Sequence, residues 1–319
     1  EIGWKTPFFS PLPLPKEIKS VDKDSYQQIN AESLMDARYS HTIEDEGSKI
    51  DINDLASPSK TLREITKKQL LTAFEQKIAT DDVFRTEYQN TNFEELVNRI
   101  YDWMSDSNTG LGGGDKRSGY SALGPSYPPN RGFRTIEELR LVPGMTDVFY
   151  DLLRPRITIY GMKAINPNTS SKEVLLSLDR GMTEEAVTEA IARRDDPDKG
   201  GPFKGEKEKC HDDFKTFVEG RGARLTKEFD QIPMICNKVI SFRIKSTGLY
   251  GDGKFALQKN ITAVVLDVGR AAAQIKTYVD KENPPPPPPP GQAPAPAPAP
   301  APPEPLPKGP PRVVYWIED

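Results

Sequence analysis

Histidine is almost missing from this chain: two in 319 residues, alongside two cysteines and three tryptophans. So sparse a supply makes histidine-based catalysis a poor fit. His211 beside Cys210 is no metal pair, because adjacent positions rarely aim at one ion, and neither a CxxC nor a spaced histidine pair supports zinc. His41 falls in an alternating segment and reads as a strand residue. Nucleophile elbow, Walker loop and dinucleotide fingerprint are all missing; Gly110–Gly114 lacks the GK[ST] ending and follows a helical pattern, not a strand. These absences read as a protein that is not an enzyme. Also absent is any run approaching the roughly 18 apolar residues of a membrane span, and no signal peptide opens the chain. Two readings follow: a soluble protein, or an ectodomain separated from its leader and anchor. There is no excess of positive charge either, with Lys+Arg 43 against Asp+Glu 47 and a net charge of −4. That balance argues against a general polyanion binder, which needs clustered lysine and arginine. Cys210 and Cys236 read equally as two buried thiols or as one disulfide of an oxidising compartment, and spacing does not choose between them.

What is present is strong local patterning. Residues 1–20 set Trp4, Phe8 and Phe9 among prolines, a segment suited to lie along another surface. From Ala37 the pattern alternates at Tyr39, His41 and Ile43, then at Ile50 and Ile52. Glu44–Gly47 between them reads as the turn of a β-hairpin, and Asn53-Asp54 closes the second strand. Helical spacing then takes over at Leu62, Ile65, Leu70, Leu71 and Phe74. Phe93, Leu96, Val97 and Ile100 follow at i, i+3, i+4 and i+7 behind an Asn92 cap.

A glycine-rich loop separates that helix from a repeated element. Gly-Met-Thr occurs at Gly144–Thr146 and again at Gly181–Thr183, each time between two short amphipathic segments. Ile136, Leu139 and Val142 precede the first copy; Val148, Phe149 and Leu152 follow it. Val174, Leu175 and Leu178 precede the second; Val187 and Ile191 follow it. Thr135 with Glu138 and Ser170 with Glu173 read as capping boxes, and Asp147, Glu184 and Glu185 sit where a helix dipole favours acids. The spacing predicts two helix–turn–helix units in tandem, of SAM-like or helix–hairpin–helix-like outline.

Asp195–Gly201 breaks the last of these helices, and residues 206–230 are charged with anchors at Phe214, Phe217, Val218 and Phe229. At Asn237 the period returns to two, through Ile240, Phe242 and Ile244, a turn at 248–253, and a second long strand over 254–271. Seven prolines at 284–290 and Ala-Pro alternation to Pro303 favour extended polyproline II, rising about 3.1 Å per residue. Val313, Tyr315 and Ile317, opposite Val314 and Trp316, then form a final strand, expected to dock on a sheet of residues 37–53 and 237–268. The organisation predicted is 1–54 as N-terminal segment and first strands, 55–230 as an inserted all-α domain, 231–282 as further sheet strands, 283–311 as a proline-rich linker and 312–319 as the last strand. The class is α+β.

The loop after Trp103 is the one candidate site. Asp102 and Asp106, with Ser105, Ser107 and Asn108, crowd the C-terminal end of a helix, where the dipole disfavours carboxylates. A bound cation relieves that repulsion, and hard oxygen ligands on a flexible loop suit calcium. Asp115 lies a few glycines away and is placed to fold back. The spacing is not an EF-hand, and a solvated acidic loop is the alternative. Asp195, Asp196 and Asp198 form a second acidic group that reads as a solvated turn. A helix–hairpin–helix nucleic-acid-binding protein is the competing function. Val142-Pro143-Gly144-Met145-Thr146 is similar to its hairpin but lacks the second glycine, and basic residues do not gather beside either turn.

The order GSKIDIND (47–54), a helix ending Tyr101-Asp102-Trp103, a glycine-rich acidic loop, ELRLVPGMT (138–146) and INPNT (165–169) closely resembles the protein K family of general secretion pathway minor pseudopilins, over roughly residues 37–270. The resemblance implies an antiparallel pseudopilin-type sheet with a large inserted α-domain. It implies a non-enzymatic role capping the type II secretion pseudopilus with the I and J minor pseudopilins, in support of the export of folded proteins, with secreted substrates as a further partner class. It also implies a periplasmic location, with an inner-membrane anchor helix that this chain does not carry, and that location favours a Cys210–Cys236 disulfide. Family members bind calcium after the Asp-Trp pair, which maps the ligands onto Asp102, Asp106, Asn108 and Asp115. Two departures stand out: Ser105 occupies a position where family loops place an acid, and Gly113-Gly114-Asp115-Lys116 replaces a Gly-Ala-Glu-like segment. The proline tract is not part of the family pattern; its position suggests a span across the tip.

Overall fold

The computed structural model describes residues 8–10, 37–161, 163–205, 208–251, 257–283 and 311–319. In chain order these form β1 (Phe8–Ser10), β2 (Ala37–Asp45), β3 (Ile50–Asp51), α1 (Lys60–Thr80), α2 (Asp82–Tyr88), α3 (Phe93–Met104), α4 (Asp147–Leu153), β4 (Ile157–Thr158), α5 (Lys172–Ser177), α6 (Glu184–Asp195), α7 (Glu208–Glu219), β5 (Ser241–Tyr250), β6 (Leu257–Leu266), α8 (Val268–Glu282) and β7 (Arg312–Glu318). Short 3-10 turns link several of them. The expected proline linker and most of residues 1–20 lie outside the described residues. Two compact units result: a sheet unit of β1, β2, β5, β6 and β7, and a helical unit of Gly47–Ile240 with α8 from Gly269.

The sheet is antiparallel throughout, in the order β1-β2-β5-β6-β7. Ala37 pairs with Tyr250 at one end of β2–β5 and Asp45 with Phe242 at the other. The final strand docks where expected, on β6, with Ile261 opposite Glu318 and a bulge between Val264 and Val265. Ala263 and Val264 are the buried residues of β6. Both ends of the chain thus contribute to one sheet, and the helical unit is inserted between β2 and β5.

Three expectations about this region need correction. The segments 37–45 and 50–52 do not form a hairpin: Glu46–Ser48 winds into a 3-10 turn, β2 pairs with β1 and β5, and β3 pairs in parallel with β4. The strand expected over 254–271 stops at Leu266, and 268–282 is the helix α8. Ala271, Ala272 and Ala273, followed by Ile275, Tyr278 and Val279, supply helix formers at helical spacing, which outweighs a period-two reading. The helical unit also reaches beyond 55–230. Asn166 donates its amide to the Gly47 carbonyl at 3.0 Å, and Ile165 pairs with Met234, so 47–54 and 231–240 belong to it.

Within the helical unit, caps fix where helices begin. Ser59 accepts from the Leu62 amide, Asp81 from Phe84 and Asn92 from Glu95. The 3-10 turn at Ile52–Ala56 is capped by Asp51, so Asn53-Asp54 ends no strand and caps no helix. Asn53 instead exchanges two hydrogen bonds with the Phe133 backbone, at 2.8 and 3.2 Å. The helices enclose two apolar cores. One gathers Phe74, Phe93, Trp103, Leu139, Phe149 and Leu153; the other Val174, Leu175, Val187, Phe203, Phe214 and Phe229. Helix α1 serves both, giving Leu70 and Phe74 to the first and Ile65 to the second.

Each Gly-Met-Thr copy belongs to a different core, and the local turn is the same. Met145 donates its amide to Val142 and Met182 to Asp179, both at 3.0 Å. Thr146 and Thr183 then cap α4 and α6, accepting from Phe149 and Ala186 at 3.2 Å. The legs before the turns differ from the sequence reading. Ile136–Leu141 is a 3-10 helix, and Thr135 makes no side-chain cap bond. Glu138 is drawn to Arg131, at 2.8 and 3.1 Å, and to the Arg134 amide, which leaves the box half closed. In the second unit the cap is Ser171, accepting from Val174 at 3.3 Å; Ser170 is buried and donates to Asn166.

Candidate functional site

The loop from Ser105 to Gly132 closes over the end of α3. Trp103 is fully buried, stacks on Phe133 at 5.3 Å and meets Tyr120 and Tyr127 at 6.1 and 5.8 Å, so three aromatic rings of the loop region share one anchor. Within the loop, Thr109 bridges to Asp115, Gly110 donates to Gly114 at 3.1 Å and Lys116 donates its amide to Asn108 at 3.2 Å. Gly113 and Gly114 take positive φ, +87° and +76°, which lets the chain reverse in so few residues.

The four expected ligands are not gathered into a coordination sphere. Asp102 alone is buried; its carboxylate accepts from the Leu111 amide at 3.0 and 3.3 Å. Asp106, Asn108 and Asp115 are exposed. Asp115 caps the following 3-10 helix, accepting from Arg117 at 3.0 Å, so the fold-back occurs but the carboxylate is spent on backbone. Among the described residues no group of three or more His, Cys, Asp or Glu is arranged to hold a metal ion.

The residue that sequence reasoning missed is Lys116, whose side chain is buried beneath the loop. Its ammonium donates to the Asp102 carbonyl at 3.2 Å, to the Asn130 Oδ1 at 2.8 Å and to the Ser105 carbonyl. Burial lowers its pKa, opposed by the charges of Asp102 and Asp106. Burial likewise raises the Asp102 carboxyl, while the Leu111 amide and the Lys116 ammonium pull it down. Asn130 sits at φ 53°, a left-handed conformation asparagine tolerates, which brings its amide oxygen to the ammonium. A lysine fourteen positions from its partner leaves no periodic signal.

The other candidate groups resolve into structure. Asp196 caps the 3-10 turn at Pro197–Lys199, accepting from Asp198 at 3.0 Å. His41 lies in β2 with its ring stacked on Tyr39, and His211 Nε2 donates to the Phe229 carbonyl at 2.9 Å. Cys210 and Cys236 form a disulfide, with Cα atoms 5.6 Å apart. The turns do not offer free amides to a phosphate. The Gly181 amide donates to Asp179 at 2.7 Å, and that carboxylate also accepts from the Thr226 amide and hydroxyl. At the first turn the Pro143 carbonyl accepts from Arg99 at 3.2 Å. A carboxylate already fills the position a nucleic-acid phosphate needs at the second turn, which argues against the helix–hairpin–helix reading.

An antiparallel sheet assembled from both chain ends, carrying a helical insertion between its second and fifth strands, defines a structural protein of the minor-pseudopilin class. Residues 48–162 match the family described as type II secretion system (T2SS), protein K, first domain. The fold is similar to a chain of the crystal structure of the GspK-GspI-GspJ complex from the enterotoxigenic Escherichia coli type 2 secretion system. That likeness has a TM-score of 0.54 and 17% sequence identity, covering 75% of this chain and 78% of that one. A search of the curated proteins found no match. The chain belongs to the protein K family of type II secretion systems.

Proposed function

We propose that this chain is the periplasmic part of a minor pseudopilin that assembles with the I and J pseudopilins at the tip of the pseudopilus, and that its work is mechanical. The observation that carries the reading is the insertion of Gly47–Ile240 between β2 and β5 of a five-stranded sheet. A block larger than the sheet bearing it suits a single terminal position better than a repeating shaft. The disulfide supports an oxidising compartment such as the periplasm. No helix among the described residues is long and apolar enough to cross a membrane, so the anchor in this proposal is a helix outside them. The fold likeness to a chain of a complex containing GspI and GspJ supports those partners.

Co-expression with the I and J pseudopilins is the test. A stable complex of the three is expected by size exclusion, and labelled copies are expected at pseudopilus ends. Copies spaced along the shaft, or failure of the three to co-purify, would overturn the reading.

A further inference from the structure

The C-terminal end of a helix carries carbonyls with no intrahelical partner and a partial negative charge. In α3 that end is also crowded by Asp102 and Asp106, so the loop calls for a cation at this point. The structure supplies one covalently. An ammonium has three hydrogens and no acceptor, and here three oxygens receive them: Asp102 O, Ser105 O and Asn130 Oδ1. Two are carbonyls of the terminal turn of α3, and the third arrives from the far side of the loop. The ammonium therefore ties the start of the loop to its end while neutralising the helix pole. Meanwhile Asp102 is bonded to Leu111, and Asp115 is bonded to Arg117. Gly110 lies so close over Asp102 that a Cβ there would come within 2.7 Å of Oδ2, which leaves little space for an ion on that side of the carboxylate.

We propose that the Lys116 ammonium is the resident cation of this loop, and that the loop is ordered without calcium. The residues present do not fit the calcium site that the family resemblance implies, because the central place is held by a lysine and the carboxylates are turned to backbone amides. The role is independent of which partners the protein assembles with.

Thermal unfolding of the full chain, with calcium chloride or with EDTA, tests the proposal, alongside isothermal titration with calcium alone. The expected result is no titratable heat and Tm values that agree within about 1 °C. A bound site at a thousandfold excess of ion over Kd would instead raise Tm by roughly 10 °C, and that result would overturn the proposal. Lys116→Met keeps the stem and removes the charge. It is expected to lower Tm by about 5 °C or more and to speed amide exchange across residues 105–116. If Lys116→Met leaves both unchanged, the ammonium does not hold the loop. Should the variant fail to fold, the wild-type comparison with and without calcium still decides.

Discussion

Replacing Cys210 and Cys236 together with alanine opens a covalent loop whose ends are 26 positions apart and which ties α7 to the segment before β5. In the chain-entropy account, closing a loop of that length removes about 3.5 kcal/mol of freedom from the unfolded chain. The native side should change little, because the same segment is held by other bonds. Asn168 donates to the Phe203 and Cys236 carbonyls at 2.9 and 3.1 Å, and Ile235 donates to Ile165 at 3.0 Å. Both sulfurs lie among apolar neighbours of the second core, so alanine introduces no buried polar group. The expected loss is therefore about 3.5 kcal/mol, or roughly 10 °C in Tm for a unit of this size. Urea unfolding followed at 222 nm measures it, since the helices belong to one unit. The m-value should rise as the unfolded chain expands. A loss below about 1 kcal/mol, or an unchanged m-value, would refute the assignment of the effect to the unfolded ensemble.

The two equivalent glycines should respond differently to alanine. At Gly181 a Cβ would lie 1.9 Å from the Arg224 carbonyl oxygen, a backbone clash expected to cost over about 3 kcal/mol. At Gly144 the cost is that of φ +84°, about 1 kcal/mol, since the nearest atom there is the movable end of Arg99. Equal losses in thermal unfolding would contradict this. Glu282 of α8 caps the start of α1, accepting from Ser59 Oγ at 2.6 Å, the Thr61 amide at 2.8 Å and the Lys60 amide at 2.9 Å. These bonds, the Ser59 hydroxyl first, hold its pKa down at about 2. A depressed carboxylate stabilises above its unfolded pKa and loses that contribution as pH falls through the folded one. Glu282→Gln should thus cost about 1 kcal/mol at pH 7, with the gap closing toward pH 2; a gap constant with pH would count against the cap. Asp54 behaves in the opposite sense. Burial, then the Asp51 charge, raise its pKa to about 7 against the pull of Lys163, whose ammonium lies 2.8 Å away. Its proton is favoured in the folded state, so stability is fullest below pH 3.8 and falls as pH rises toward 7. Asp54→Asn should gain on the wild type in Tm at pH 8 and lose that advantage at pH 4.

The helix–turn–helix pair was legible because it is local. Thr146 and Thr183 lie next to the helices they cap, and Leu139, Val142, Val174 and Leu175 mark their buried faces within a few residues. The capping error at Ser170 and Ser171 shows the limit: both serines suit a cap, and the Asn166 carbonyl decided by engaging Ser170. Strand pairing was less legible. Ile50 and Ile52 alternate like a hairpin partner, yet Ile50 pairs with Ile157, more than a hundred positions on. At the candidate site the carboxylates were visible as a cluster, but their hydrogen-bond partners were not.

From its residues alone this chain determines its class, its tandem turns, the final strand and the need for positive charge at the end of α3. Those features follow from periodicity, capping chemistry and the helix dipole, which act over a few neighbouring positions. Only the tertiary structure decides that β3 joins β4, that α8 belongs with the helices, that Cys210 meets Cys236, and that Lys116 supplies the charge. Each of these depends on which distant groups arrive at the same place, and a sequence pattern of short range carries no record of that.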